Sequence, residues 1–257
     1  ALANLGGSCN ETLLASTMAG KDRPATNWLE LGNPNEVAVP VTIYVYDRNG
    51  TQLHDEFVLL PARSQWNKYL SDIIDPSMSG AVGSVRVACD PGHPVLSQTT
   101  FYGHASASQR VIWAYVSQAR GYVGATEGET LVASVNTFLG EYSTANWLKL
   151  STSNERSIAV EIEIFDHVGI SRSRNVRSIA ANGTLDYDIH SLVGPNFVGT
   201  AHIRPLASDA GIRGELVRVY FDRDHSVGTI MPTPLVLTQN DTHGDGCGVV
   251  AQSDRVH

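Results

Sequence analysis

The sequence predicts an all-β protein made of two tandem antiparallel β-sandwich domains, Ig-like or jelly-roll-like, related by internal duplication. Residues 27–62 match residues 146–181 at a fixed offset of 119, and a repeat of this length indicates that a whole domain was duplicated. Short strands with period-two alternation lie between turns rich in Gly, Pro, Asn and Asp, and no convincing amphipathic helix is found. The residues identical in both copies are Asn27, Trp28, Leu29, Leu31, Asn35, Glu36, Val41, Ile43, Asp47, Gly50 and Ala62.

The repeat divides the chain into four segments, and each repeat is expected to hold about seven short strands. An N-terminal segment at 1–11 precedes the first repeat with its linker strand at 12–118. The second repeat covers 119–238, and a polar C-terminal tail covers 239–257.

The clearest predicted strand runs from Val37 to Val45, where valine and isoleucine alternate with other residues. Its counterpart begins at Ile158 and alternates in the same way. Alternation of β-branched residues is typical of a half-buried strand. Pro40 cannot donate a ladder hydrogen bond, so we expect either an edge strand or a proline nitrogen that faces solvent.

A hairpin turn is predicted to follow at Asp47-Arg48-Asn49-Gly50, with Asp166 to Gly169 as its counterpart. Asp47 and Asp166 occupy equivalent positions, so one interpretation is a functional site that is repeated in both halves. We prefer a structural role, in which each carboxylate accepts backbone N–H groups of the turn.

Composition excludes some classes of function. The net charge is −8 without a basic run, which argues against nucleic-acid and anionic-membrane partners. No stretch has the length and apolar character of a transmembrane segment. The chain begins at Ala1 without Met, which agrees with either a trimmed sequence or a processed, exported protein. The three cysteines leave two alternatives open: three free thiols, or one disulfide and one unpaired cysteine.

Motifs of nucleophilic and metal-dependent catalysis are missing from the sequence, so we expect no enzyme. One tail segment has the partial spacing of a calcium loop, with Asp241, His243 and Asp245 at its first, third and fifth positions. Position twelve is Gln252 instead of the usual glutamate, so we expect a polar tail and no cofactor, with a calcium ion as the alternative.

Three aromatic residues are candidates for binding. Tyr44 is predicted to point away from the buried face of its strand, where the second repeat has Glu163. Trp113 and Tyr115 lie on the strand between the repeats. Either a partner or the other domain covers the outer face that carries Tyr44, or the tyrosine simply packs across strands on a solvated face.

The motif N-P-N-E-x-x-x-x-V-T-I-x-V-Y-D-x-N-G from Asn33 to Gly50, followed by the Pro61-Ala62 break and a strand ending near Phe101-Tyr102, resembles a known group of proteins. It is similar to the β-sandwich repeats found in tandem in bacterial secreted and cell-surface proteins. It also resembles the sensory rhodopsin transducer family, which has a β-sandwich fold. The resemblance implies a β-sandwich fold in an extracellular setting, and it supplies no catalytic residues.

These observations predict a non-enzymatic, exported structural protein, a subunit of a surface layer, extracellular fibre or envelope complex. The expected partners are further copies of the chain or another envelope protein, and the expected location is extracellular, cell-surface or periplasmic. The alternative is a β-sandwich module that binds a glycan or small ligand through Tyr44, Trp113 or Tyr115.

Overall fold

The computed structural model describes residues 13–19, 25–73, 81–89, 92–104, 111–118, 124–137, 144–221 and 227–239 of the chain. In these ranges the protein is built almost entirely of antiparallel strands, which confirms the all-β prediction. The first half holds β1 (Leu13–Ala19), β2 (Ala25–Gly32), β3 (Val39–Asp47), β4 (Gln52–Leu60), β5 (Gln65–Tyr69), β6 (Ala81–Cys89), β7 (Leu96–His104) and β8 (Val111–Gln118). A 3-10 turn covers Leu70–Asp72.

The second half repeats this series and adds one strand. Its elements are β9 (Glu129–Asn136), β10 (Thr144–Ser151), β11 (Ile158–Asp166), β12 (Ser171–Ile179), β13 (Thr184–Asp188), β14 (Val198–Pro205), β15 (Arg213–Phe221), β16 (Val227–Pro234) and β17 (Val236–Gln239). A single helical turn, α1 (His190–Val193), lies between β13 and β14.

The strand order is the same in both halves. One sheet of the first half has the order β1-β6-β3-β4 and the other β5-β2-β7-β8. The second half has β12-β11-β14-β9-β17 and β13-β10-β15-β16, which is the same arrangement with β17 added beside β9. We call the two halves unit 1 and unit 2. Their matching topology agrees with the duplication inferred from the sequence.

Each unit has its own apolar core, to which both of its sheets contribute side chains. In unit 1 the alternating valines and isoleucine of β3 meet Leu29 and Leu31 of β2, and all of them are buried. In unit 2 the same positions of β11 meet Leu148 and Leu150 of β10. Because strand side chains alternate between faces, the period-two pattern places one set of residues in each core.

Pro40 does not make β3 an edge strand. The strand lies between β4 and β6, so that alternative was wrong. Pairing with β6 begins one residue later, at Val41 opposite Cys89, and Pro40 has a partner only on β4, where it lies opposite Leu59. The proline is tolerated because it precedes the part of the strand that is paired on both sides.

The two hairpin aspartates have the predicted structural role. Asp47 Oδ1 accepts backbone N–H groups of Asn49 and Thr51, each at 2.8 Å. Asp166 Oδ1 accepts those of Val168 and Ile170 at 3.0 and 2.9 Å. Both turns end in a glycine with positive φ, a conformation that favours glycine.

The β3–β4 hairpin of unit 1 docks on unit 2. The carbonyl oxygen of Arg48 accepts a hydrogen bond from the backbone N–H of Thr184 at 3.1 Å, and the Arg48 side chain lies 3.8 Å from the Asp186 carboxylate. A second contact joins β8 to β15, where Ser117 Oγ lies 3.1 Å from both carboxylate oxygens of Glu215. These contacts form the junction between the units.

Candidate interaction face

Two large apolar side chains lie exposed on the outer face of unit 1's β3–β4 pair. Phe57 is 67% exposed and Leu59 is 59% exposed, and they stand opposite Thr42 and Pro40 of β3. Tyr44 and Asp55 form the next pair along the same face. We call these six residues the β4 face. An exposed apolar group of this kind on a sheet is typical of an interaction surface.

The equivalent face of unit 2 has charged residues at three of the six positions and Val176 in place of Phe57. Glu161 and Glu163 of β11 replace Thr42 and Tyr44, and Arg174 of β12 replaces Asp55. Arg204 Nη1 donates to Glu161 Oε1 at 2.9 Å and to Glu163 Oε2 at 2.7 Å, while Arg174 Nη2 donates to Glu161 Oε2 at 2.7 Å. The two copies therefore keep the same core and differ in their outer faces.

The ion pairs shift the titration of both glutamates. The pKa of Glu161 lies below its ordinary value chiefly because Arg174 donates to the carboxylate, against an opposing effect of burial, and Arg204 adds to the shift. The pKa of Glu163 is lowered chiefly by the hydrogen bond from Arg204. Both side chains therefore stay ionised at neutral pH, and the face is a fixed array of charges.

Tyr44, the first predicted binding residue, is half-buried on the β4 face. The guanidinium carbon of Arg86 lies 5.7 Å from the centre of its ring, and the ring of Tyr46 lies 6.4 Å away in a stacked arrangement. Neighbours on its own sheet account for part of its burial, as expected for cross-strand packing. Phe57 and Leu59 are the more exposed members of the face.

Trp113 and Tyr115 lie away from the β4 face, on β8. The Tyr115 ring stacks on Phe101 at 4.3 Å between centroids and is only 4% exposed, near the junction between the units. The indole of Trp113 covers Gly103, where an added Cβ would fall 2.0 Å from the ring. The structure thus does not bring the three predicted binding residues together, and it places Tyr115 where packing explains it.

The repeats also differ at Asn33-Pro34, where unit 2 has Thr152-Ser153, and packing explains the first of these two positions. Asn33 is buried, and its Nδ2 lies within 3.1 Å of the carbonyl oxygens of Val37, Leu60 and Pro61. In unit 2 the matching Thr152 donates instead to the Ala210 carbonyl at 2.8 Å. Each side chain therefore holds the segment that follows its strand, β2 or β10, against another part of its own unit.

Each of the four sheets ends in two edge strands within the described residues, and β4 and β12 are equivalent edge strands of the two units. β4 pairs with β3 alone, and β12 pairs with β11 alone. Free edges expose backbone N–H and C=O groups that can pair with another strand. Neither strand contains proline or lysine, the residues that commonly block an edge, whereas β12 carries Arg172, Arg174 and Arg177.

Cys89, at the end of β6, is disulfide-bonded. Of the two alternatives left open by the sequence, this supports one disulfide with one cysteine left over. The other two cysteines, Cys9 and Cys247, lie outside the described residues.

The predicted calcium ligands Asp241, His243 and Asp245 also lie outside the described residues. Among the residues that are described, no group of three or more His, Cys, Asp or Glu side chains is arranged to hold a metal ion. Within the same ranges, no helix is long and apolar enough to cross a lipid bilayer.

No protein-family model and no curated protein matches the chain. Solved structures with some similarity include a glycosyl hydrolase family 2 member from Bacteroides cellulosilyticus (11% identity, 86% of this chain, 27% of that chain, TM-score 0.20) and an α-L-rhamnosidase from Streptomyces avermitilis (10%, 92%, 28%, 0.26). A putative β-galactosidase from Bacteroides fragilis shows 10% identity over 92% of this chain and 37% of its own, with a TM-score of 0.20. The chain spans between a quarter and two fifths of these proteins, and similarity at this level carries no argument about function.

Proposed function

We propose that the protein is a non-enzymatic, exported structural subunit of a surface layer, extracellular fibre or envelope complex. The observation that carries the proposal is the exposed apolar pair Phe57 and Leu59 on β4, an edge strand whose outer side has no paired strand among the described residues. A protein that works by assembly needs a surface that binds another protein, and an apolar sheet face beside an open edge supplies both side-chain and backbone contacts.

The disulfide at Cys89 supports the exported location. Disulfides form and persist in oxidising compartments such as the periplasm and the exterior of the cell, and they are rare in the cytosol of most organisms. A chain whose net charge is −8 also avoids unspecific binding to nucleic acid and anionic lipid, which suits a protein at a cell surface.

Within the proposal, each unit is a two-sheet β-sandwich that arose by duplication. A four-bladed propeller also contains four antiparallel sheets, arranged around a central channel. Two features support sandwiches instead: the strands of a unit's two sheets are interleaved along the chain, and each pair of sheets shares one core. In this order β1 and β2 lie in different sheets, which differs from the immunoglobulin order, in which the first two strands are neighbours.

The proposal is tested by the mass and shape of the purified full chain. We expect species larger than the 27.7 kDa chain in mass photometry as protein concentration rises, and repeating assemblies in negative-stain images. A protein that stays at the mass of one chain at high concentration would contradict the structural role.

The alternative, a glycan-binding module, draws support from the exposed Phe57 beside Tyr44, since sugars stack on aromatic rings. A glycan array probed with the wild type and with Phe57→Ala would separate the two functions. Binding that disappears in Phe57→Ala, from a protein that remains monomeric, would favour the glycan module.

A further inference from the structure

We propose that copies of this chain join head to tail, with the free edge of β4 in one copy pairing antiparallel with the free edge of β12 in the next. The inference rests on the proposed structural role and identifies its partner as a second copy of the chain. The paired strands would make one continuous sheet from the β3–β4 sheet of one copy and the β11–β12 sheet of its neighbour.

Charge selects this pairing over the two self-pairings. β12 carries three arginines and no acidic residue, so a β12–β12 pair would bring like charges together. β4 has no lysine or arginine, and its Glu56 already pairs with Lys68 at 2.8 Å, which leaves Asp55 as the acidic side chain on the outer face. A β4–β4 pair centred on this residue would place two aspartates together. An edge with acidic and apolar residues fits an edge with basic ones.

Both strands also have the length and exposure that pairing requires. Each is nine residues long, and they are equivalent in the two units. Arg172 and Arg174 keep more than half of their side chains exposed although each already contacts a carboxylate of its own unit. Val176 and Ile170 are each 55% exposed beside the same edge.

One antiparallel register places complementary side chains opposite one another. With Asp55 opposite Arg174, Leu53 falls opposite Val176 and Phe57 opposite Arg172. This register combines an ion pair, an apolar pair and a guanidinium group beside an aromatic ring. Leu59 then lies opposite Ile170, which extends the apolar contact past the end of β12.

Because the two edges differ, the contact uses a different surface on each copy. A contact of this kind leaves one free β4 and one free β12 at the ends of any open assembly, so further copies add until a ring closes or a filament grows. A symmetric contact would instead stop at two copies.

Two single substitutions on exposed side chains test the arrangement. Phe57→Lys places a charge on the β4 edge, and Val176→Lys places one on the β12 edge, while Leu192→Lys on α1 is a control for adding a lysine at another exposed apolar position. Circular dichroism and thermal unfolding check that each variant folds, and Leu59→Lys replaces Phe57→Lys if that variant does not.

We expect the wild type and Leu192→Lys to assemble and each edge variant to remain a monomer. An equimolar mixture of the two edge variants should form species of about 55 kDa and nothing larger, because only one intact β4 and one intact β12 can meet (2 × 27.7 kDa). A monomeric wild type would overturn the structural role together with this inference. An assembling wild type whose edge variants also assemble, or whose variant mixture stays monomeric, would overturn the inference alone.

Discussion

Gly50 of unit 1 lies so close to Ala181 of unit 2 that a Cβ atom at Gly50 would fall 1.6 Å from the Ala181 carbonyl oxygen. The equivalent glycine of unit 2, Gly169, has open space around the same position. Both have positive φ, at 80° and 84°. Comparing substitutions at Gly50 and Gly169 therefore separates the cost of a side chain at positive φ from the cost of crowding the junction.

We expect Gly50→Ala to destabilise the protein more than Gly169→Ala. Both variants bear the cost of a side chain at positive φ, roughly 1–2 kcal/mol. Gly50→Ala adds the cost of forcing the two backbones apart, on the order of 1–3 kcal/mol. Urea unfolding of both variants measures the difference, and equal losses would show that the junction does not resist the added methyl group.

Tyr115 is expected to tolerate the loss of its hydroxyl group. The group is buried, no hydrogen-bond partner for it exists among the described residues, and burial together with the nearby Glu215 and Asp186 carboxylates raises its pKa well above the ordinary value. Tyr115→Phe should leave the free energy of unfolding unchanged or raise it by up to about 1 kcal/mol.

Tyr115→Ala serves as the contrast, because it removes the ring that stacks on Phe101. It should cost about 3–5 kcal/mol. If Tyr115→Phe instead costs as much as a lost buried hydrogen bond, the hydroxyl has a partner outside the described residues.

The charge network of unit 2 should make stability depend on pH in acid. The folded-state pKa values of Glu161 and Glu163 lie below the ordinary 4.5, so their contribution is complete above that pH and is lost as pH falls through the folded-state values. The denaturant concentration at the unfolding midpoint, measured from neutral pH downwards, should therefore decrease as the pH drops below about 4.5.

Arg204→Met should reduce that pH dependence. Without the shared guanidinium both glutamate pKa values move back towards 4.5, so the variant is less stable at neutral pH and loses less on acidification. Arg63→Met is the control, since it removes an exposed ion pair with Glu36 and should change little at either pH. An unchanged pH profile in Arg204→Met would contradict the role assigned to the network.

The disulfide at Cys89 should contribute measurably to stability. Cys89→Ser and reduction of the wild type are both expected to lower the free energy of unfolding, typically by about 2–5 kcal/mol. Peptide mapping under non-reducing conditions identifies the partner cysteine. A free thiol at Cys89 in the protein isolated from its natural source would speak against the exported location.

The strands of both units follow closely from the sequence because burial of one face imposes a visible period of two. The alternation from Val37 to Val45 predicted β3, and the Asn49-Gly50 pair predicted the hairpin that follows. The position of β3 within its sheet did not follow, because strand order depends on contacts between distant segments. Pro40 alone could not distinguish an edge strand from the unpaired beginning of a central one.

The outer face was only partly predictable. The contrast between Tyr44 and Glu163 pointed to the face of the β3–β4 pair as a place where the repeats differ, but the exposure of Phe57 and Leu59 on that face was not predicted. Their signal was present in β4, where Asp55, Phe57 and Leu59 occupy every second position and Val58 faces the other way. Apolar residues on both faces of a strand are typical of a strand that is buried on both sides, so the exposure of Phe57 and Leu59 became visible only in the structure.

The residues that form the junction between the units differ from those at the equivalent positions of the other unit. Gly183, whose missing side chain admits the Arg48 carbonyl, is replaced in unit 1 by Ser64, and the neighbouring Asp186 is replaced by Asn67. Arg48 itself is replaced in unit 2 by His167. The two units are therefore not interchangeable, because unit 1 inserts a turn and unit 2 receives it. A circularly permuted chain that presents unit 2 first would have to preserve this pairing through space, and two copies of either unit alone could not rebuild it.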